Sequence, residues 1–113
     1  MCQLQYVKGC GSGLTRSFAI ELAKQGVRVN SVSLGYVLTP MVAHSLSNPI
    51  VLKHIQEDFG RVPMGRAMRP EEIANDCAYL LSADASGVTG SDLIVDGGMV
   101  ADSFLMNYFN ALR

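Results

Sequence analysis

Tryptophan is absent from this sequence of 113 residues, and cysteine, charge and long apolar runs are all scarce. Each shortage excludes a class of protein. The three cysteines, Cys2, Cys10 and Cys77, are odd in number and lack metal-ligand spacing. That removes a disulfide framework and a zinc ribbon, and it fits free thiols in a reducing, cytoplasmic compartment. Nine Lys and Arg stand against ten Asp and Glu, a formal net charge of −1 with no block of one sign. An electrostatic footprint for nucleic acid or an acidic membrane is therefore missing. No apolar run approaches bilayer length, and Met1-Cys2-Gln3-Leu4 is not a charged region leading into an apolar signal core. What is present is 49% hydrophobic residues against 17% charged. That balance predicts a soluble globular chain with one packed domain.

From Leu14 the pattern turns helical, with Leu14, Phe18 and Leu22 recurring every four residues beside Ala19 and Ala23. Gly26 closes this helix as a left-handed cap. Val27 to Leu34 is β-branched and lightly charged, and reads as a strand ending at Gly35. Met1 to Lys8 offers no apolar strand. Between Thr39 and Arg69, Pro40, Pro49, Gly60, Pro63 and Gly65 predict short helices in a mobile excursion. Pro70-Glu71-Glu72 opens a second strong helix, because proline lacks an N–H that the first turn leaves unpaired and carboxylates suit the positive helix end. Ile73, Ala74, Cys77, Ala78 and Leu81 form its predicted buried face. Leu93-Ile94-Val95 is a short apolar strand stopped by Asp96-Gly97-Gly98, most simply a turn. Helix, strand, helix, strand in this order predicts an α/β layer: a short parallel sheet with flanking helices and a right-handed crossover.

Few single motifs carry chemistry. Gly9-Cys10-Gly11-Ser12-Gly13 is rich in glycine, but a phosphate-binding loop must leave a strand and enter a helix, and its third glycine would fall where Leu14 stands. The simpler reading is a small-residue first turn of the Leu14 helix, weakened by about 1 kcal/mol per interior glycine. His44 and His54 have no third ligand at metal spacing. Glu71 and Glu72 are accounted for by the helix dipole.

Together, however, several segments match one family in order and spacing. Leu14-Thr15-Arg16-Ser17-Phe18-Ala19-Ile20-Glu21-Leu22-Ala23, Gly26-Val27-Arg28-Val29-Asn30, Gly35-Tyr36-Val37-Leu38-Thr39, Arg69-Pro70-Glu71-Glu72-Ile73-Ala74, Leu80-Leu81-Ser82, Val88-Thr89-Gly90 and Asp96-Gly97-Gly98 are the segments. From about position 8 to 99 the chain resembles the C-terminal half of a short-chain dehydrogenase/reductase. The resemblance implies part of a doubly wound, Rossmann-like domain, running from the catalytic helix to the last strand, with a substrate loop at about 40–69. The N-terminal half, which would carry the phosphate turn, the residue choosing NAD or NADP, and a catalytic Ser, is expected to be absent.

The resemblance also implies site residues. In the family a Tyr precedes a Lys by one helical turn, so that the ammonium lowers the phenol pKa and holds the nicotinamide ribose. Counting back from Leu14-Thr15 places that Lys at Lys8 and the Tyr position at Leu4. Tyr6 stands two residues before Lys8, a spacing that separates side chains on a helix and brings them to one face of a strand. A surface tyrosine beside a surface lysine is the simpler reading. Gly35, Val37 and Thr39 match cofactor-contacting positions, although Leu34 replaces the family's proline before Gly35. The implied cofactor is NAD or NADP, and the implied substrate a small carbonyl or alcohol. The expectation is a truncated NAD(P)-dependent oxidoreductase, inactive alone. The alternatives are a fragment of an active enzyme and a non-catalytic subunit that self-associates or pairs with a related reductase.

Overall fold

The structure, a computed structural model, describes residues 3–4, 11–60 and 62–102. Its elements are β1 (Gln3–Leu4), α1 (Gly11–Ala23), β2 (Val29–Leu34), α2 (Pro40–Ser45), α3 (Pro49–Phe59), α4 (Pro70–Leu81) and β3 (Asp92–Val95), with a 3-10 turn at Ala83–Ala85 before β3. The strands form one sheet in the order β1-β2-β3. β1 runs parallel to β2, with Gln3 opposite Val29 and Leu4 opposite Asn30. Backbone bonds from Ser31 N to Ser91 O (2.9 Å) and from Gly35 N to Val95 O (3.1 Å) advance in the same sense along both strands, as in a parallel pair. The expected α/β architecture is present. A strand in the first eight residues was not expected. Two residues suffice because the open edge of Val29–Asn30 supplies backbone partners, whatever the side-chain pattern.

α1 begins on the small residues Gly11-Ser12-Gly13 and ends where Gly26 adopts φ 74°. There Gln25 N and Val27 N both donate to Leu22 O, at 3.0 and 3.3 Å. Val27 is thus spent on closing the helix, which is why β2 starts at Val29 and not at Val27. α4 starts at Pro70 with Glu71 and Glu72 in its first turn, as the sequence predicts.

The chain divides into two compact units, Met1–Ser33 with Glu71–Ile94, and Leu34–Pro70 with Val95–Arg113. In the first, Ala19, Val29, Val32, Leu80 and Ala85 are buried. Both predicted helix faces hold in part: Phe18, Ala19 and Leu22 on α1 and Ile73 and Cys77 on α4 are buried or half-buried. On α1, Thr15 and Ala19 are buried while Leu14 is 46% exposed; on α4, Leu80 is buried while Leu81 is 46% exposed and Ala74 and Ala78 face outward. The observed inner stripe of α4 is Ile73, Asp76, Cys77 and Leu80, a regular three-and-four spacing. A polar residue lies in each inner stripe, Thr15 in one and Asp76 in the other, so hydropathy alone misplaces the edge of each face.

Side chains at the start of β2 tie down the turn that feeds β3. The buried Asn30 donates from Nδ2 to Val88 O (2.9 Å) and accepts from Ser91 N (3.1 Å). The Arg28 guanidinium donates to Val88 O and Ser82 O, both at 3.1 Å. Thr89 Oγ1 accepts from Val29 N at 3.1 Å. Further along, Ser31 and Ser33 both donate to the Asp92 carboxylate at 2.8–2.9 Å. In the second unit Val62, Ala67, Met68 and Asp96 are buried. Among the described residues, no helix is long and apolar enough to cross a membrane.

Candidate functional site

Gly35, Val37 and Thr39 lie on one turn that leaves the end of β2, within the second unit. Gly35 N donates to Val95 O at 3.1 Å. A Cβ on Gly35 would fall 2.8 Å from both Cα and Cβ of Asp96, so only glycine fits against that backbone. Asp96 is 7% exposed. Its two carboxylate oxygens accept from Gly98 N and Val100 N, each at 2.8 Å. Gly97 and Gly98 take φ of 66° and 92°. Asp96-Gly97-Gly98 is the turn the sequence predicts, and its buried carboxylate holds the wall on which Gly35 rests.

Beyond Gly35 the backbone pairs with a second segment. Val37 forms an isolated parallel bridge with Met68. Met68 N donates to Tyr36 O (2.7 Å) and Met68 O accepts from Leu38 N (2.9 Å). In parallel pairing, bonds that flank a residue leave its own N–H and C=O aimed to the other side. Val37 therefore turns its peptide groups away from Met68, and its C=O accepts from Thr39 N at 2.9 Å. Thr39 has extended dihedrals, φ −94° and ψ 162°, and caps α2. Its Oγ1 accepts from Val42 N at 3.4 Å, and Pro40 occupies the first helical position. Because Oγ1 accepts in that bond, the hydroxyl proton remains able to donate.

Lys8 and Tyr6 lie outside the described residues, as do Gly9 and Cys10 of the glycine-rich string. Gly11, Ser12 and Gly13 form the first turn of α1, where Gly13 O accepts from Ser17 Oγ at 3.0 Å. Leu4, the position expected to match the family's Tyr on a helix, sits in β1. Among the described residues no group of His, Cys, Asp or Glu could hold a metal ion. Two contributors to the turn at Gly35 to Thr39 were not linked to it by the sequence reading. Asp96 had a signal, since an aspartate before paired glycines is a common capping turn. Met68 had none, because backbone pairing across thirty residues leaves no trace in side-chain identity.

A family model described as enoyl-(acyl carrier protein) reductase matches residues 4–100. The chain belongs to the short-chain dehydrogenase/reductase family. Cyclohexanol dehydrogenase from Acinetobacter sp. (strain SE19) is 45% identical over 86 residues, which cover 76% of this chain and 31% of that protein. The tropinone reductase homolog of Datura stramonium is 37% identical over 98 residues, 87% of this chain and 37% of that protein. Among solved structures, 4-hydroxyisoleucine dehydrogenase complexed with NADH superposes with a TM-score of 0.74 at 26% identity. That likeness covers 88% of this chain and 47% of that one. A proposed 2-deoxy-D-gluconate 3-dehydrogenase from Agrobacterium tumefaciens with bound NADP gives 0.69 at 37% identity, covering 80% and 35%. The chain spans about a third of the length of the curated relatives it matches. Its fold is the corresponding part of a Rossmann-like domain.

Proposed function

We propose that this chain carries the nicotinamide-facing turn and the substrate loop of an NAD(P)-dependent oxidoreductase acting on a small carbonyl or alcohol, and is not competent for hydride transfer alone. The observation that carries the reading is the turn itself: Gly35 seated on Asp96, the Val37 peptide turned outward by Met68, and a Thr39 hydroxyl with its proton to give. These groups fit the amide end of a nicotinamide, which needs both a donor and an acceptor. No phosphate is assigned to Gly11-Ser12-Gly13, which forms the first turn of α1. When bound, the dinucleotide would supply or accept the hydride. The chain's own part would be to orient the ring through Val37 and Thr39 and, through Lys8, to hold the ribose and support a proton donor. Tyr6, two residues before Lys8 in sequence, is the phenol proposed for that last role.

Holding the reacting carbon against the nicotinamide is worth roughly 7–11 kcal/mol of barrier in favourable systems. A donor, an acceptor and one ammonium are too few to fix a dinucleotide so firmly. The test is calorimetry of the purified chain with NADH and NADPH, together with nicotinamide absorbance in the presence of a panel of alicyclic and linear ketones. No saturable binding at millimolar cofactor and no turnover above buffer are expected. Turnover that disappears in Lys8→Ala would overturn the reading.

A second reading, a non-catalytic subunit paired with a full-length reductase or with another copy, is favoured by Ile20, Met41 and Ile50, which are 78%, 77% and 71% exposed. Co-purification of the tagged chain with a full-length reductase from the same cells tests it.

A further inference from the structure

We propose that Gly97, acting through Met68, is a positioning residue for the Tyr36–Thr39 turn; this rests on the assignment of that turn to the cofactor. Gly97 is buried and has φ 66°. A Cβ there would stand 2.7 Å from Val62 Cγ1 and 2.9 Å from Met68 Cε. Such separations are far inside van der Waals contact, so one neighbour must withdraw. Met68 is only 4% exposed. The same residue holds Tyr36 O and Leu38 N through its backbone, at 2.7 and 2.9 Å.

A continuous chain of contacts therefore runs from the Gly97 backbone to the tip of Met68, through Met68 to its own peptide groups, and from these to the residues on each side of Val37. Met64 N donates to Gly97 O at 3.1 Å, which pins the segment from the other side. Packed interiors transmit displacement because they have little void to absorb it. A side chain at position 97 would displace the Val62 methyl and the tip of Met68; with Met68 only 4% exposed, the proposal is that this displacement reaches its backbone and loosens the grip that turns the Val37 peptide away. The glycine thus sets the aim of the cofactor turn without touching the cofactor.

The experiment is amide hydrogen exchange read by NMR on the full chain, without any nucleotide. In Gly97→Ala, the Leu38 and Met68 amides are expected to exchange about tenfold faster, as their local opening becomes easier, while Ser31 in the other unit keeps its rate. Unchanged exchange at Leu38 and Met68 would overturn the proposal. Should Gly97→Ala unfold the chain, Met68→Ala decides, because it removes the contact without straining a positive φ. Faster exchange at Leu38 in that variant, restored in Met68→Leu, supports the proposal, and an unchanged rate refutes it. A second arm titrates nicotinamide alone and follows the Val37 amide shift, expected in the parent chain and lost in Gly97→Ala. No shift in the parent chain, with the exchange effect intact, would refute the cofactor assignment and leave the packing linkage standing.

Discussion

Replacing Asn30 with alanine should cost this chain about 2 kcal/mol of stability. Asn30 is 2% exposed at the start of β2, where its amide donates to Val88 O at 2.9 Å and accepts from Ser91 N at 3.1 Å. The two lost bonds differ in consequence. Val88 O keeps a second donor, Arg28 Nη1 at 3.1 Å, so its desolvation stays compensated. Ser91 N donates to Asn30 Oδ1 in a part-buried bond, and the variant removes that acceptor. An orphaned amide costs about 1–3 kcal/mol, and the lost packing of a fully buried side chain adds to it. For a chain of this size each kcal/mol moves the thermal midpoint by roughly 4–8 °C. Differential scanning fluorimetry and urea titration of Asn30→Ala against Ser33→Ala should therefore separate clearly, since Ser33 is exposed and its bonds to Asp92 can be taken over by water. A midpoint for Asn30→Ala within a degree or two of the parent would refute the argument. It would mean that water reaches the Ser91 amide or that the turn re-forms without its anchor.

Two further outcomes are expected. Leu80→Asp should abolish cooperative unfolding, because Leu80 is 3% exposed; Leu81→Asp, at a residue 46% exposed, and Glu72→Gln at the helix start should each cost at most about 1 kcal/mol, and circular dichroism melts will rank them. The isolated chain should be marginally stable or self-associating, since open parallel-sheet edges and side chains such as Ile20 at 78% exposure are poorly tolerated in a monomer. A monodisperse monomer in light scattering with a sharp thermal transition would contradict this.

Much of the fold was legible in the sequence because it depends on local chemistry. Pro70 with two glutamates marks a helix start wherever it occurs, and Gly26 can take the left-handed cap that other residues resist. The turn at Gly35 to Thr39 was legible only through family resemblance; nothing in those five residues by themselves distinguishes it from any exit from a strand. Leu14, Ala74, Ala78 and Leu81 were read as inner and lie outside, because Thr15 and Asp76 occupy inner positions that hydropathy assigns to apolar residues. The two-residue strand Gln3–Leu4 was missed because it carries no pattern of its own and exists by pairing with Val29 and Asn30.

The polar residues of β2 explain why its pairing with β3 is so definite. A strand enclosed on both faces ordinarily reads as an apolar run, yet two of the four buried residues here, Asn30 and Ser31, are polar. They occupy opposite faces by the two-residue alternation of a strand, and each has a partner on the β3 side: Asn30 with the Val88–Ser91 turn, Ser31 with Asp92. A slip of one residue would send each side chain to the face where the other's partner lies, leaving three polar contacts unmade. The register is thus written in side chains and not left to the ladder. Within the second unit, the bond from Gly35 N to Val95 O brings Gly35 against the backbone of Asp96.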